Sequence, residues 1–553
     1  VTAPTIDSPV AKLKALLADP ARREAAAAKV KTASDFTLPK LRAWNSSPCR
    51  AHRRWENPDT GEMVENKPKP GCQKCGIIPR KHQRIGITWL FLKYRALLAD
   101  SVGTGKTIHG AGLIAMLKET GELNYPSTRV IVIAKAQAVL QWVEELRRML
   151  PSVVSIAAVG SRAQREDLYA GAWEVVVIGP EMLLRDWEIF RLHFGLAAVI
   201  VDDVDALRNP STQTAFAIKK LAEKSPRYVA MTGTPLQKKL IEMYGVLGPM
   251  GAYEIFGSRP AFERRYIEKK TTTLYLRNGQ RRDKEEIVAY KNLDEFKAKI
   301  APVVLRRTAD DIDDVDLPKI MPHSVWLEMH PEQKKLYAQL QKDTKAAKKD
   351  ATKFQAISSL HQAQKITAGL STLGYPDGPG MSIKLDWIMS NVVEGDLSGE
   401  KVVIFGMLKS TIEALQARLH GAGVHYVTIW GNESNKALRQ ERISSFRSEK
   451  GARLLLGTSA IEQSINLQVA RHLVNIDQIP NPARMTQLSG RIRRDGSAYK
   501  SVYVHNLLIA NTHEERYIKL LEREQALADY VWEEQSELFE ALTPLQLMSL
   551  ITG

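Results

Sequence analysis

At 553 residues, with 44% hydrophobic and 25% charged positions, the chain is too long for one ordinary core and too conventional for a fibrous or disordered protein, so two large globular domains plus attachments are expected. No apolar run approaches the roughly 18 to 20 residues of a membrane span, and the first residues lack a signal-peptide core; the expectation is a protein of the cytoplasm or nucleoid with no membrane partner. The formal charge of +16 favours a polyanionic partner over a small neutral substrate, and three cysteines, all within the first 75 residues, argue against a disulfide framework.

Residues 1–44 open with the Ala-rich "VAKLKALLADPARREAAAAKVK", read as a helical arm broken at Pro20. Residues 45–76 differ: few aliphatics, several Pro and Gly, and Cys49-x2-His52 followed nineteen residues later by Cys72-x2-Cys75-Gly76. Two close pairs of soft or borderline ligands suit tetrahedral Zn²⁺, which predicts a zinc-knuckle insert held by Cys49, His52, Cys72 and Cys75. Residues 40–85 carry eleven Lys/Arg against four Asp/Glu and include Trp55, a composition able to grip a nucleic-acid backbone or stack on a base. A structural staple on a basic loop is the plainer role.

From residue 77 to about 308, continuous apolar runs ("RALLAD", "RVIVIAK", "EVVVIGP", "AAVIVDD", "RYVAMTGT") alternate with helix-period segments such as "AVLQWVEELRRML". Strands buried on both faces read this way, so a parallel α/β lobe is predicted. Within it, residues 240–300 form a helical insertion, and Asn278-Gly279 in "TTTLYLRNGQRRDKEEIVAY" predicts a tight hairpin. Residues 309–553 repeat the α/β pattern ("KVVIFG", "HYVTIWG", "ARLLLGTS", "RHLVNID", "SVYVHNLL"), with a helical insertion at about 325–375 and helices at the C-terminal end.

The strongest local signal is "LLADSVGTGKTIHGAGLI", a buried strand, a loop and a helix. Gly103, Thr104 and Gly105 would let backbone N–H groups close on phosphate oxygens, Lys106 would reach the β and γ phosphates, and Thr107 would ligate Mg²⁺. The first glycine of the generic pattern is Asp100 here. About 100 residues on, "VIVDDVD" ends a strand with Asp202, suited to Mg²⁺, and Asp203, suited to orienting a nucleophile. "YVAMTGTPLQ" adds Thr232 and Thr234. In the second lobe "QLSGRIRRDGS" presents Gln487, Arg491 and Arg494 at helical spacing, the arginines as fingers toward a γ-phosphate.

With these motifs in place the chain resembles superfamily-two helicases and, among them, Swi/Snf-like double-stranded DNA translocases, over about residues 77–530. The resemblance runs through "IPRKHQRIGITWL", "VIVIAKAQAVLQWVEEL", "MTGTPLQ", "EMYGVLGPMGAYEIFGSRPAFERRY", "SIKLDWIMS", "LLLGTSAIEQSINL" and "IDQIPNPARMTQLSGRIRRDG". It implies two RecA-like lobes, ATP and Mg²⁺ as cofactors, Gln83 as the adenine reader, Thr232 and Thr234 as coupling residues, and Lys135, Thr458 and Ser459 against a nucleic-acid backbone. The implied activity is a monomeric, DNA-stimulated ATPase tracking along double-stranded DNA, with single-stranded DNA or RNA as other polymers. Two alternatives stand beside it: a strand-separating or fork-remodelling helicase on DNA or RNA–DNA hybrids, and an ATP-binding DNA scaffold with little hydrolysis. Three departures mark a divergent member, of the kind a phage or mobile element carries. Asp202-Asp203-Val204-Asp205 replaces Asp-Glu-x-His, Ile461-Glu462 replaces a glycine pair, and Ser497 stands in place of a final Gln.

Overall fold

The computed structural model describes residues 79–518 apart from 193–194, 237–238, 276–280, 309–310, 313–316, 348–352, 432–435, 463–464, 480–481 and 495–496, together with residues 20, 21, 25, 54–56 and 63–65. It divides into two compact units, one running to Tyr266 and resuming over residues 292–316, the other comprising residues 267–291 and the chain from Leu317. The predicted zinc ligands Cys49, His52, Cys72 and Cys75 lie outside the described residues. Their window contributes two short antiparallel strands, β1 (Arg54–Glu56) and β2 (Met63–Glu65), with Trp55 opposite Val64.

The first unit is built on β3 (Arg95–Leu98), β4 (Arg129–Ala134), β5 (Ser155–Ala157), β6 (Val175–Ile178), β7 (Leu196–Asp202), β8 (Tyr228–Met231) and β11 (Val304–Leu305). They form a parallel sheet in the order β11-β3-β8-β7-β4-β6-β5. The five apolar runs become β3, β4, β6, β7 and β8, and their side chains are almost wholly buried because helices cover both faces. Helices α1 (Lys81–Lys93), α2 (Lys106–Thr120) and α3 (Val139–Met149) contribute Trp89, Phe91, Leu113, Leu117, Trp142 and Leu146 to that core.

The segment predicted as a hairpin folds as antiparallel β9 (Ile267–Tyr275) and β10 (Arg281–Tyr290), grouped with the second unit; the Asn278-Gly279 turn lies outside the described residues. Between the two predicted helical insertions, β11 completes the first sheet and β12 (Lys319–Leu327) begins the second.

The second unit's sheet adds β13 (Val402–Phe405), β14 (Tyr426–Ile429), β15 (Leu454–Gly457), β16 (His472–Asn475) and β17 (Ser501–Ile509), parallel in the order β12-β17-β16-β13-β15-β14. Helices α4 (Pro331–Ala347) and α5 (Lys353–Ala368) form the helical insertion. Helix α6 (Pro482–Ser489) carries Gln487. The predicted helical placement of Arg491 and Arg494 is corrected: the α-helix ends at Ser489. Arg491 N–H still bonds Leu488, but its carbonyl accepts the N–H of Leu467 (3.0 Å) and so is withdrawn from a continuing helix. Ile461, where the resemblance implies a glycine, is fully buried in this unit's core.

Candidate functional site

Four neighbouring strands of the first sheet end in one row. Leu98 pairs with Met231, Met231 with Asp202, and Asp202 with Ala134, so β3, β8, β7 and β4 deliver their succeeding loops to one edge. That carboxyl edge is where open parallel sheets place ligands. Two further bonds extend the row: Thr232 N–H to Leu98 O (2.9 Å) and Asp203 N–H to Met231 O (2.8 Å).

From β3 the chain enters the loop Asp100–Gly105. Gly105 caps α2 with φ of 79°, a left-handed conformation costly for other residues, and a Cβ there would meet Gln83 Nε2 at 2.7 Å. The loop is held from below by α1. The Thr104 carbonyl accepts Gln83 Nε2 (3.1 Å) and lies 3.0 Å from His82 Nε2, while Gln83 Oε1 accepts Arg80 N–H (2.9 Å). Gln83, predicted as a base reader, thus braces the loop. Thr104 is buried and its hydroxyl donates to Ser101 O at 2.9 Å; Gly103 has φ of 96°, and Thr107 is half-buried in the first turn of α2. Lys106 Nζ donates to the carbonyls of Asp100 (2.8 Å) and Ser101 (2.9 Å), so the ammonium stays folded over its own loop.

Asp100, where the generic motif has glycine, is fully buried. Arg307, two residues beyond β11, binds it with both prongs (Nε–Oδ1 3.0 Å, Nη2–Oδ2 2.5 Å) and donates Nη1 to His82 O at 2.9 Å. His109 of α2 stands 3.7 Å from the same carboxylate. Burial, reinforced by the Arg307 charge, keeps His109 well below its ordinary pKa and therefore neutral.

Asp202 is the half-buried last residue of β7. Burial pushes its carboxyl above the usual range, and the neighbouring Asp203 adds to this; Trp142 Nε1, donating to Oδ2 at 2.6 Å, and the Lys106 and Lys135 charges oppose it. A carboxylate so placed favours any cation that reaches it, and oxygen ligands from Asp202 and the Thr107 hydroxyl are of the type a hard divalent ion takes. Asp203 adopts φ of 76°, a strained conformation for a non-glycine residue, which turns the chain out of β7. Its Oδ1 is buried without a hydrogen-bond partner among the described residues.

The turn after β8 faces the loop: a Cβ on Gly233 would meet Val102 Cγ2 at 2.5 Å and Lys106 Nζ at 3.3 Å, so only glycine permits this approach. Thr232 and Thr234 are both buried, and Thr234 N–H donates to Thr232 Oγ1 at 3.1 Å.

Lys135, predicted against a nucleic-acid backbone, is engaged by Asp203 (2.6 Å) and Asp205 (2.8 Å). In the second unit Gln487 is buried, Thr458 is half-buried at the end of β15, and Ser459, exposed, opens a 3₁₀ turn. His82, Asp100, His109, Trp142, Arg208 and Arg307 escaped the sequence reading as functional residues. Only Asp100 left a signal, as an acid where glycine was expected.

Comparison with known proteins gives two family matches, the SNF2-related domain over residues 82–372 and the helicase conserved C-terminal domain over residues 384–496. YwqA of Bacillus subtilis (strain 168), whose name assigns it provisionally to the ATP-dependent helicases/translocases, is 26% identical, covering 86% of this chain and 50% of its own. The mouse SWI/SNF-related matrix-associated actin-dependent regulator of chromatin subfamily A member 1 is 24% identical (85% and 46%), and a zebrafish RAD54-like DNA repair and recombination protein 25% (83% and 68%). The chain spans about half the length of the first two of these relatives. Among solved structures, the SWI2/SNF2 ATPase core of Sulfolobus solfataricus in complex with dsDNA is similar at 22% identity and a TM-score of 0.38, covering 83% of this chain and 93% of that one.

Proposed function

From the premise that the chain belongs to the SNF2-related family of helicase-like ATPases, we propose that it is a DNA-stimulated ATPase that translocates along double-stranded DNA. The observation that carries the proposal is the single row of strand ends that brings Lys106, Asp202, Asp203 and the Thr232–Thr234 turn together over one phosphate-type loop.

The loop N–H groups and Lys106 bind the triphosphate, Lys106 exchanging the Asp100 and Ser101 carbonyls for phosphate oxygens. Thr107 and Asp202 hold Mg²⁺, which when bound supplies charge neutralisation to the phosphates. Asp203 orients the attacking water through Oδ1, the carboxylate oxygen that is buried with no partner among the described residues. Gly233 lies against Lys106, so a change in the loop displaces the Thr232–Thr234 turn first. Gln487, Arg491 and Arg494 of the second unit act on the γ-phosphate side, the arginines as fingers. Thr458 and Ser459 contact the DNA backbone, giving little sequence preference and strong salt dependence. The protein acts as a monomer in the cytoplasm or nucleoid, the host's if phage-encoded, and Cys49, His52, Cys72 and Cys75 bind one Zn²⁺.

Phosphate release measured in parallel with no nucleic acid, single-stranded DNA, duplex DNA and RNA tests this reading, with Lys106→Ala as the blank. Stimulation by duplex, together with triplex displacement and no unwinding of a forked duplex, is the expected result. Robust fork unwinding would replace it with a strand-separating enzyme, for which the long β9–β10 hairpin is the candidate wedge. Release no greater than the Lys106→Ala blank would replace it with an ATP-binding scaffold.

A further inference from the structure

Asp205 stands where the resemblance to Swi/Snf-like translocases implies a histidine, and the structure gives that aspartate two cations to hold. Its Oδ2 lies 2.8 Å from Lys135 Nζ and its Oδ1 accepts Arg208 Nε at 2.9 Å. Each cation leads elsewhere. Lys135, the residue after β4, also binds Asp203 Oδ2 at 2.6 Å. Arg208, which follows a 3₁₀ turn over Val204–Leu207, donates Nη2 to Thr234 O at 2.5 Å and Nη1 to Pro235 O at 3.1 Å, and lies 3.3 Å from Glu242. A continuous chain of charge-assisted bonds therefore runs Asp203–Lys135–Asp205–Arg208–Thr234.

Sheet register makes the chain compact. Ala134 and Asp202 are paired, so the next residues, Lys135 and Asp203, leave adjacent strands side by side. Only half of Asp203 is used: Oδ2 belongs to Lys135, while Oδ1 is buried with no hydrogen-bond partner among the described residues. A carboxylate fixed at one oxygen and free at the other has a defined orientation for a third group. The side chains of Lys135 and Asp203 are only 21% and 23% exposed, so the pair is not the freely solvated kind that contributes little.

We propose that Lys135 and Asp205 are positioning residues for Asp203, an ion-pair linkage that does the work of the missing histidine by tying the water-orienting carboxylate to the Thr232–Thr234 turn. The inference deepens the ATPase reading and rests on it. Lys135 reaches the chemistry through Asp203, and Asp205 reaches it through Lys135. Movement of the Thr234 segment therefore passes to Asp203 through Arg208 without any contact between Asp205 and the nucleotide.

The test uses the full chain with saturating duplex DNA and Mg²⁺-ATP, comparing wild type, Lys135→Met, Lys135→Arg, Asp205→Asn and the double variant Lys135→Met/Asp205→Asn. Turnover, KM, affinity for a fluorescent ATP analogue and affinity for duplex are read for each. Lys135→Met should lower kcat roughly 10- to 100-fold, the loss expected when a reacting group is misplaced by about 1 Å, with analogue affinity within about twofold of wild type. Lys135→Arg should recover most of that loss. The double variant should be no slower than Lys135→Met, because both changes cut one linkage. Full kcat in Lys135→Met or Asp205→Asn overturns the inference, as do multiplying losses in the double variant. So does a Lys135→Met variant impaired only in duplex affinity, which would return Lys135 to a DNA contact. Should Lys135→Met fail to fold, Asp205→Asn against wild type carries the same test. A wild-type chain with no turnover on any polynucleotide overturns the ATPase reading itself, an outcome distinct from a turning-over wild type with unaffected variants.

Discussion

The Arg307–Asp100 pair fixes the base of the phosphate-type loop, and removing its cation should show how strongly. Arg307→Met strands a carboxylate with no solvent exposure, because burial, the larger of the causes that lower His109, still holds that neighbour neutral once the Arg307 charge is gone. Breaking a buried pair from one side costs about 3–5 kcal/mol, because the surviving charge is left unpaired in a low-dielectric interior. Asp100→Asn is the milder change, since the Arg307 side chain retains 13% exposure and can turn toward water. Charge removal from both sides, in Arg307→Met/Asp100→Asn, should therefore be more stable than Arg307→Met alone. Hydrogen exchange on peptides spanning residues 95–107 reads this directly, because Ala99 N–H donates to Leu305 O (2.7 Å) and Ser101 N–H to Arg307 O (3.0 Å). A loss of 3–5 kcal/mol corresponds to exchange faster by roughly 10²- to 10⁴-fold at these amides in Arg307→Met, with partial recovery in the double variant. Acceleration of less than about tenfold, or a double variant worse than either single one, would refute the buried-clamp argument.

Gly105→Ala should cost about 1–2 kcal/mol from the left-handed backbone alone. It also drives a methyl into Gln83, so nucleotide affinity measured by calorimetry should fall at least about tenfold; wild-type affinity would disprove the close fit. Trp142→Phe removes the indole donor from Asp202, and the Mg²⁺ concentration for half-maximal turnover should rise roughly tenfold, as for other outer-shell losses; an unchanged requirement would show that Asp202 does not meet the metal. In the second unit burial holds His505 down at about 4 and His513 at about 3, and also lowers His472. These groups are neutral when folded and take up protons on unfolding, so the stability they contribute is complete above about pH 6.5 and lost as pH falls toward 3. Asp477, pushed up by burial, works the other way, but as one group against three. His505→Leu should flatten the acid limb of this unit's denaturation curve between about pH 6.5 and 4, and an unaltered limb would refute the assignment. Native protein should carry about one zinc per chain, and its absence with Cys72→Ser folding normally would remove the knuckle.

How much of this was legible in the sequence depends on how local the determinant is. Ten strands announced themselves as apolar runs: nine lie inside their sheets, where both faces are covered, and β14, at an edge, is half-buried at Tyr426 and Val427. β5 and β11 span three and two residues, too few for any pattern to register. β12 is an edge strand whose residues are mostly exposed or half-buried and which contains Pro322, a residue that only an edge tolerates, so it mimicked a linker. The helix expected to carry Arg491 fails for a related reason. Spacing along the chain cannot show that the backbone of Leu467 claims the Arg491 carbonyl.

The site divides in the same way. Lys106, Asp202 and Thr232 could be named because each is a loop or strand-end residue whose chemistry is set by its immediate neighbours. Arg307 lies 207 positions from the carboxylate it holds, and Trp142 lies 60 from its own, so no spacing rule links them. Asp202-Asp203-Val204-Asp205 shows what each level supplies. Three carboxylates crowded at one strand end would repel one another, and the sequence offers no cation nearby except Arg208. Parallel register supplies the missing one by setting the end of β4 beside the end of β7, which puts Lys135 between Asp203 and Asp205. An aspartate at 205, where the resemblance implies a histidine, is then no simple loss of a coupling group. An acid there calls for a cation, and Lys135, shared with Asp203, holds one oxygen of that carboxylate. The substitution and Lys135 are thus one feature: Asp205→His alone should leave Lys135 attached only to Asp203 and should slow turnover rather than restore a more typical site.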